Sequence, residues 1–179
     1  MTFIFINIFF GIVIVVALII LWFVWPPDSP WSPWWTVGAR ESREGLKLAK
    51  VTKKDIVYDL GSGDGRIPIL AAKEFGAKGV GIEIDPIRHL TAWLKVRVLK
   101  LDKQVTLKRG NFFNYNISDA TVVFVYLVPR VLKKLKPKLV RELKKSTRIL
   151  SYKYKFQPNN KLMFVRSDKK NQVYLYKII

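Results

Sequence analysis

The chain opens with an apolar segment that no charged side chain interrupts. The segment runs from Phe3 to Trp25, and a helix of that length spans roughly 34 Å at 1.5 Å per residue, enough to cross the hydrocarbon core of a bilayer. A cleaved signal peptide would show a basic start, a shorter apolar stretch and a small-residue cleavage site, and a mitochondrial transit peptide would be amphipathic and rich in Arg. The pattern therefore predicts one transmembrane helix within residues 1–25.

Beyond residue 38, apolar runs rich in β-branched residues alternate with segments of helical periodicity. Such alternation is typical of a mostly parallel sheet that helices cover on both faces. The predicted helices are 39–49, 66–75, 86–100 and 130–145, the last interrupted at Pro137. The predicted strands are 55–60, 79–84, 104–108, 120–128, 147–154, 161–166 and 172–178. The pattern thus predicts an α/β fold whose seven-stranded sheet ends in an antiparallel C-terminal hairpin, preceded by one transmembrane helix.

A segment rich in Pro and Trp joins the apolar helix to the rest of the chain. Proline prevents the helix from continuing and favours extended backbone, and tryptophan is enriched where helices leave a bilayer. We therefore predict a transmembrane helix at 1–25, an interfacial linker at 26–38 and one folded domain at 39–179. The residues that support the linker are Pro26, Pro27, Pro30, Pro33, Trp22, Trp25, Trp31, Trp34 and Trp35.

The net charge of +19 lies entirely after the apolar segment. Basic residues such as Arg40, Arg43 and Lys47 follow the segment and none precedes it, which predicts a single-pass membrane protein with its N-terminus outside and its catalytic domain in the cytoplasm. So basic a surface favours anionic lipid or nucleic acid as a partner, although a solvated Lys-rich surface has the same composition. The chain has no Cys, which excludes disulfides and thiolate sites, and we assign no metal site.

The candidate chemistry is concentrated where the first predicted strand ends. The sequence Asp59-Leu-Gly-Ser-Gly-Asp-Gly65 separates that strand from a helical segment, so its glycines allow a tight turn and a close approach of a ligand to the backbone. Glu83 ends the next strand, twenty positions after Gly63, where a carboxylate can accept hydrogen bonds from ribose hydroxyls. The combination indicates a cofactor that carries a nucleoside.

Details of the loop distinguish between cofactors. A dinucleotide site has the spacing Gly-x-Gly-x-x-Gly and binds a pyrophosphate, and a Walker loop ends in Gly-Lys-Ser/Thr. This loop has Gly-x-Gly-x-Gly, and its acids Asp59 and Asp64 would repel a pyrophosphate. The cationic sulfonium and the amino group of S-adenosyl-L-methionine suit these carboxylates. We therefore predict that cofactor, with a dinucleotide and a Gly turn that binds nothing as open alternatives.

Three stretches of the chain, Val57–Ile67, Gly79–Asp85 and Asp119–Pro129, resemble the seven-β-strand protein-lysine methyltransferases. Within that group they resemble the membrane-anchored family that includes the enzymes for the c-subunit of ATP synthase and for adenine nucleotide translocase, with small archaeal relatives. The resemblance covers about residues 34–156. It implies a Rossmann-like class I methyltransferase domain, S-adenosyl-L-methionine as cofactor and a protein lysine as substrate.

The resemblance also implies roles for individual residues. The Gly loop with Asp59 and Asp64 would hold the methionine end of the cofactor, and Glu83 would hold the ribose. Asn111 would contact the adenine, although the family often has an acid at this position. The predicted cofactor site comprises Asp59, Gly61, Ser62, Gly63, Asp64, Gly65, Arg66, Glu83, Asn111 and Phe112.

Tyr126 lies near the C-terminal end of the predicted strand 120–128, where open α/β sheets bind ligands. The resemblance puts a substrate-positioning tyrosine in this strand, so we predict Tyr126 as the catalytic residue; the alternative is a core aromatic. Methyl transfer to lysine needs a neutral amine, whereas free lysine titrates at about 10.4, so the site must favour deprotonation. No strong general base is visible, since we expect His89 at the surface or beside the cofactor. We expect Trp93 in the core.

These features together predict a protein-lysine N-methyltransferase that acts on a membrane or membrane-proximal protein. The charge keeps a nucleic-acid methyltransferase open, although the Asn/Asp-Pro-Pro-aromatic tetrad of its amino-directed members is absent from 125–129. The anchor allows a lipid or quinone methyltransferase, and an inert Gly loop would leave a basic membrane adaptor. The basic residues of 133–145 form either a solvated helix face or a surface that docks on lipid.

Overall fold

The computed structural model describes residues 2–24 and 35–179 of the chain. These residues form two separate units, an N-terminal helix and a folded domain that starts at Trp35. Most of the predicted linker, residues 26–34, lies outside the described residues, and so do Trp25, Trp31 and Trp34. The division of the chain into 1–25, 26–38 and 39–179 therefore stays a prediction.

The N-terminal helix, α1, covers Thr2–Val24, as the apolar run in the sequence predicts. Its segment Ile4–Leu21 carries no charged side chain, and its side chains are exposed throughout. At about 1.5 Å per residue, α1 is long enough to cross a bilayer. By length and composition, α1 is a candidate membrane span.

The folded domain consists of seven strands, four helices and one short 3-10 turn. The strands are β1 (Ile56–Leu60), β2 (Lys78–Glu83), β3 (Val105–Arg109), β4 (Val122–Val125), β5 (Arg148–Tyr152), β6 (Leu162–Asp168) and β7 (Val173–Ile178). The helices are α2 (Ala39–Leu48), α3 (Arg66–Phe75), α4 (Pro86–Val98) and α5 (Pro129–Glu142), and the 3-10 turn is Phe112–Asn114.

The strands form one sheet in the order β3-β2-β1-β4-β5-β7-β6. The first five strands run parallel, and β7 is antiparallel to both β5 and β6. The chain thus has the fold that the sequence predicts, a seven-stranded α/β sheet with an antiparallel C-terminal hairpin. The order reverses beside β1, and the crevice at the carboxyl ends of β1 and β4 is where such sheets bind ligands.

Two apolar layers pack against the sheet. On one face, Val57, Phe124 and Leu150 pack with residues of α2 and α3. On the other face, Val123 and Ile149 pack with residues of α5. Successive residues of a strand point to opposite faces, which is why the neighbours Val123 and Phe124 belong to different layers. Because β1 and β4 are buried on both faces, their sequences are nearly continuous apolar runs.

The fourth strand is shorter than the sequence predicts. β4 covers four residues instead of 120–128, because its pairing with β1 ends at Leu60, the last residue of β1. Pro129 then begins α5. Tyr126 therefore lies in the loop after the strand rather than within it.

The predicted interruption of α5 at Pro137 is wrong. The helix is continuous from Pro129 to Glu142 and contains Pro137. A proline inside a helix destabilises it by about 3 kcal/mol, but full burial of one leucine contributes roughly 1.5–3 kcal/mol. Leu135 and Leu139 on either side of the proline are both fully buried, so packing outweighs the lost backbone hydrogen bond.

A buried ion pair at the amino ends of β1 and β5 joins elements that are distant in sequence. Asp55 accepts hydrogen bonds from the Thr121 hydroxyl at 2.7 Å and from the Thr52 N–H at 2.8 Å, and it pairs with Arg148. Arg148 also donates to the Ala49 carbonyl at 2.6 Å. Burial acts to raise the pKa of Asp55, but these hydrogen bonds and the charge of Arg148 outweigh burial and lower the pKa below its usual value.

We expect Asp55→Asn to destabilise the domain by about 2–3 kcal/mol, because it leaves the partly buried Arg148 without its anion. Since the pKa of Asp55 is lowered in the folded state, its stabilising contribution is present above the ordinary carboxyl pKa and is lost as the pH falls through the folded value. Thermal unfolding of the detergent-solubilised chain between pH 3 and pH 8 measures both effects. The matched control is Asp102→Asn, which removes the exposed pair with Arg97 and should change stability by less than about 1 kcal/mol. Equal effects of the two substitutions would contradict the role of Asp55.

Candidate functional site

The Gly loop follows β1 and is fixed to the neighbouring strand by its own backbone. The N–H groups of Gly61 and Ser62 both donate to the Ile82 carbonyl of β2, at 2.9 and 3.0 Å. Gly61 has a φ of +87°, which a residue with a side chain rarely adopts. At Gly65 an added Cβ would lie 2.9 Å from the Cβ of Ala92 on α4. Glycine is therefore required both by the turn and by the close packing of α3 on α4.

Glu83 connects the Gly loop to the end of β2. Its carboxylate is buried and accepts the Gly63 N–H at 2.6 Å on one oxygen and the Asp85 N–H at 2.9 Å on the other. Burial raises the pKa of Glu83 although these two hydrogen bonds act to lower it. Each carboxylate oxygen has a second lone pair, so Glu83 can accept further hydrogen bonds from a ligand such as a ribose.

Asp59 places a second carboxylate under the loop. It is only 5% exposed, and burial together with the negative charges of Glu83 and Asp64 raises its pKa well above the usual value. The neighbouring Ser62 hydroxyl is buried and has no hydrogen-bond partner within the described part of the chain. Burial of a carboxylate without a cation, or of a hydroxyl without a hydrogen-bond partner, destabilises the fold. The arrangement of Asp59 and Ser62 therefore suits a ligand that brings positive charge and hydrogen-bond donors.

The other acid of the loop, Asp64, is held differently. Its carboxylate pairs with Lys95 of α4 at 2.6 Å and with Arg66 at 3.5 Å. Arg66 also donates to the Val37 carbonyl at 2.7 Å, so it connects the Gly loop to the segment that precedes α2. Asp64 is thus neutralised by two cations of the domain, whereas no cation among the described residues pairs with Asp59.

The predicted adenine-side residues lie at the end of β3, beside Glu83. The Gly110 N–H donates to the Glu83 carbonyl at 2.8 Å, which brings the two strand ends together. The side-chain oxygen of Asn111 accepts the Phe113 N–H at 3.0 Å and begins the 3-10 turn, which leaves its NH₂ group as a donor. The ring of Phe112 lies 4.7 Å from that of Phe113 and packs against the core.

Tyr126 lies across from the Gly loop. Its predecessor Val125 pairs with Leu60, so Tyr126 and Gly61 directly follow two paired residues of adjacent parallel strands. The Tyr126 ring is half-buried and contacts the rings of Tyr152 at 4.8 Å and Tyr154 at 6.3 Å between centroids. Sequence reasoning missed these two tyrosines, since the end of a predicted strand does not reveal which side chain meets which across a sheet.

The helix after Glu83 differs in part from expectation. His89 is half-buried, and burial together with the charge of Arg109 lowers its pKa. The expectation that Trp93 lies in the core is wrong: it is 42% exposed and has the Arg97 guanidinium 5.2 Å from its ring centroid. The buried face of α4 is instead formed by Arg88, Ala92 and Val96, which recur every four residues, so Trp93 lies outside that face.

Comparison with known proteins extends these observations. The family model for the ANTKMT methyltransferase domain matches residues 59–161, which include the Gly loop, Glu83 and Tyr126. A protein-lysine N-methyltransferase from Saccharolobus islandicus is 42% identical over 140 residues, or 76% of this chain and 87% of that protein. An adenine nucleotide translocase lysine N-methyltransferase from Mus musculus is 33% identical over 121 residues, or 65% of this chain, and the chain spans 50% of the length of that protein.

A solved structure shares both sequence and fold with the chain. It is an RNA methyltransferase from Salinibacter ruber in complex with S-adenosyl-L-homocysteine, 35% identical, with a TM-score of 0.70 over 80% of this chain and 92% of that one. The carboxylates Asp59 and Glu83 and the turn at Gly61 fit a cofactor with a cationic methionine end and a ribose. The Ser62 hydroxyl, which has no partner among the described residues, fits it as well. The chain therefore belongs to the ANTKMT methyltransferase domain family, and it is a methyltransferase that uses S-adenosyl-L-methionine.

Proposed function

We propose that this methyltransferase transfers a methyl group to the side-chain amine of a protein lysine, on a protein in or near a membrane. The observation that carries the proposal is the position of Tyr126, which follows β4 directly across from the Gly loop. A tyrosine at this position can orient an amine toward a methyl group at the end of the loop, and orientation supplies much of the acceleration in such displacements. The relatives that are lysine methyltransferases support the same class of substrate.

The predicted cofactor residues have properties that suit distinct roles. Asp59 would face the amino group of the methionine end, because its carboxylate is buried and no cation in the described ranges pairs with it. Glu83 would accept hydrogen bonds from the ribose hydroxyls, and the Asn111 NH₂ group would donate to the adenine edge. The Phe112 ring would pack beside the base. The remaining members of the proposed site form the loop itself and the start of α3: Gly61, Ser62, Gly63, Asp64, Gly65 and Arg66.

Bound S-adenosyl-L-methionine supplies an electrophilic methyl group on a sulfonium, which an amine lone pair displaces while the S–C electron pair stays on sulfur. The chain's own residues then have to orient the amine and exclude water. Burial and the neighbouring Tyr154 raise the pKa of Tyr126, so its hydroxyl stays protonated at physiological pH. In this form it can accept a hydrogen bond from the amine N–H and leave the nitrogen lone pair directed at the methyl group. Desolvation by the surrounding rings favours the neutral amine.

A second candidate substrate is RNA. The related structure from Salinibacter ruber is an RNA methyltransferase, and a net charge of +19 suits a phosphate backbone. Protein and RNA should therefore be compared directly as acceptors of the methyl group.

We also propose that α1 anchors the enzyme as a single-pass membrane protein, with the N-terminus outside and the catalytic domain in the cytoplasm. The apolar surface of Ile4–Leu21 supports a membrane environment, and the basic residues that follow it support the orientation. An anchor restricts the enzyme to targets near the bilayer and raises their effective concentration.

Asp59→Asn should stabilise the cofactor-free protein and weaken cofactor binding. Because the pKa of Asp59 is raised in the folded state, its contribution to stability is present at low pH and is lost as the pH rises through the folded value. At neutral pH the substitution should raise the melting temperature by about 2–4 °C, while loss of a charged partner should raise the Kd for S-adenosyl-L-methionine about 10- to 100-fold. Thermal unfolding at pH 5–9 and calorimetric titration test both effects. Asp64→Asn, which breaks an ion pair, is the control and should not raise the melting temperature. If Asp59→Asn left the affinity for S-adenosyl-L-methionine unchanged, Asp59 would not be a cofactor-binding residue.

The substrate is tested with the full chain in lipid nanodiscs and labelled S-adenosyl-L-methionine, incubated separately with membrane proteins, soluble proteins and RNA. We expect label in methyllysine after hydrolysis of membrane proteins. Tyr126→Phe should keep the Kd for the cofactor and reduce turnover by roughly 10-fold or more, because only the hydroxyl that orients the amine is removed. Label recovered in RNA and not in protein would show that the substrate is RNA and not a protein lysine.

Deletion of residues 1–25 tests the anchor. We expect the truncated enzyme to methylate a short lysine peptide in solution nearly as well as the full chain does, because the catalytic groups lie in the folded domain. In cells with matched protein levels, mass spectrometry should show a strong loss of lysine methylation on the natural membrane target, because the effective concentration has fallen. Equal methylation of that target by both forms would show that the anchor does not select the substrate.

A further inference from the structure

Three tyrosines form a cluster at the carboxyl ends of β4 and β5. The Tyr126 ring is perpendicular to that of Tyr152, with an interplanar angle of 82°, and nearly parallel to that of Tyr154, with an angle of 21°. All three side chains are half-buried, so each has surface available to a ligand. Tyr126 and Tyr152 pack against the layer of α2 and α3, and Tyr154 packs against the layer of α5. The cluster thus lies across the carboxyl ends of two central strands, beside the Gly loop.

The backbone that places Tyr154 is strained. Lys153 has a φ of +65°, and the Tyr154 N–H donates to the Tyr152 carbonyl at 2.7 Å, which closes a three-residue turn of the rare form. Neighbouring bonds hold the turn: the Lys153 N–H donates to the Gln172 carbonyl at 2.8 Å, and the Ser151 hydroxyl donates to the Tyr154 carbonyl at 2.6 Å. Strain that the surroundings over-determine is often found at functional sites. Here the turn allows the rings of Tyr152 and Tyr154 to contact the same neighbour, Tyr126.

The face of one ring of the cluster is accessible to a cation. The ammonium of Lys153 lies 5.8 Å from the Tyr154 ring centroid, within the range of a cation–π contact. The Tyr154 ring therefore has a face that an alkylammonium group can reach.

We infer that Tyr126, Tyr152 and Tyr154 form a binding site for the ammonium group of the substrate, next to the proposed point of methyl transfer. The inference rests on the proposed function and adds Tyr152 and Tyr154 to the residues that contact the substrate. The ligand class is an alkylammonium, either unmodified or methylated. Aromatic faces bind both forms, because cation–π attraction does not need an N–H group.

Recognition of a cation is compatible with attack by a neutral amine. The lysine arrives charged, releases one proton to water, and its nitrogen lone pair forms the new N–C bond. Positive charge returns to the nitrogen as this bond forms, so the ring faces stabilise the transition state more than the neutral amine. The same faces hold the methylated ammonium product.

The test measures binding of three peptides that differ only at one side chain, to the full chain in nanodiscs saturated with S-adenosyl-homocysteine. The side chains are lysine, trimethyllysine and the uncharged analogue in which a tert-butyl group replaces trimethylammonium. The peptide sequence is one that the wild-type enzyme methylates. We expect trimethyllysine to bind the wild type more tightly than its tert-butyl analogue, although the two have the same shape. Tyr154→Leu should remove that preference and raise the KM for the lysine peptide about 3- to 30-fold, with the Kd for S-adenosyl-L-methionine unchanged.

A further variant separates cation recognition from a structural role. Tyr154→Phe retains the ring face and should retain the preference for trimethyllysine over its tert-butyl analogue. Equal affinity of the wild type for the charged and uncharged peptides would overturn the site, and so would equal weakening of both by Tyr154→Leu. Failure of the proposed function itself would look different, because no lysine peptide would then be methylated by the wild type.

Discussion

The carboxylate of Glu83 is the contact on which the arrangement of the site depends. It accepts one N–H from the Gly loop after β1 and one from the turn after β2, at Gly63 and Asp85, and the carbonyl of the same residue accepts the N–H of Gly110 after β3. One residue thus fixes the ends of three adjacent parallel strands relative to one another. In an open α/β sheet the ligand site lies at these strand ends, so the spacing of the cofactor groups follows from this residue.

The carboxylates of the cofactor site lower the stability of the cofactor-free protein. Asp59 and Glu83 are both buried with raised pKa values, and no cation within the described part of the chain compensates Asp59 in the way that Lys95 and Arg66 compensate Asp64. Burial of a carboxylate without a partner is unfavourable. A bound sulfonium and amino group would remove this imbalance. The carboxylates therefore favour a cationic cofactor, and the same imbalance disfavours a pyrophosphate, in agreement with the spacing of the glycines.

The sequence predicts those features that depend on local pattern. Apolar alternation locates all seven strands, and the Gly spacing with Glu83 identifies the loop and the cofactor class. Features that depend on tertiary partners were missed. The length of β4 is set by where β1 ends, and the continuity of α5 through Pro137 is set by two buried leucines. Trp93 is exposed because α4 turns Ala92 and Val96 toward the domain instead. The roles of Tyr126 and of the cofactor residues stay predictions, since their test is chemical.

The tyrosine cluster shows most clearly why part of the site was not visible in the sequence. Tyr152 and Tyr154 are two positions apart, and two residues so spaced on a strand point to the same face, so the pattern predicts two side chains on one layer. The left-handed turn at Lys153 ends the strand and moves Tyr154 to the opposite layer. The rings of Tyr152 and Tyr154 can then both contact the ring of Tyr126 at the carboxyl ends of β4 and β5. The Lys153 N–H donates to the Gln172 carbonyl and the Ser151 hydroxyl donates to the Tyr154 carbonyl, and the turn that these bonds hold brings the three rings together at the strand end beside the Gly loop.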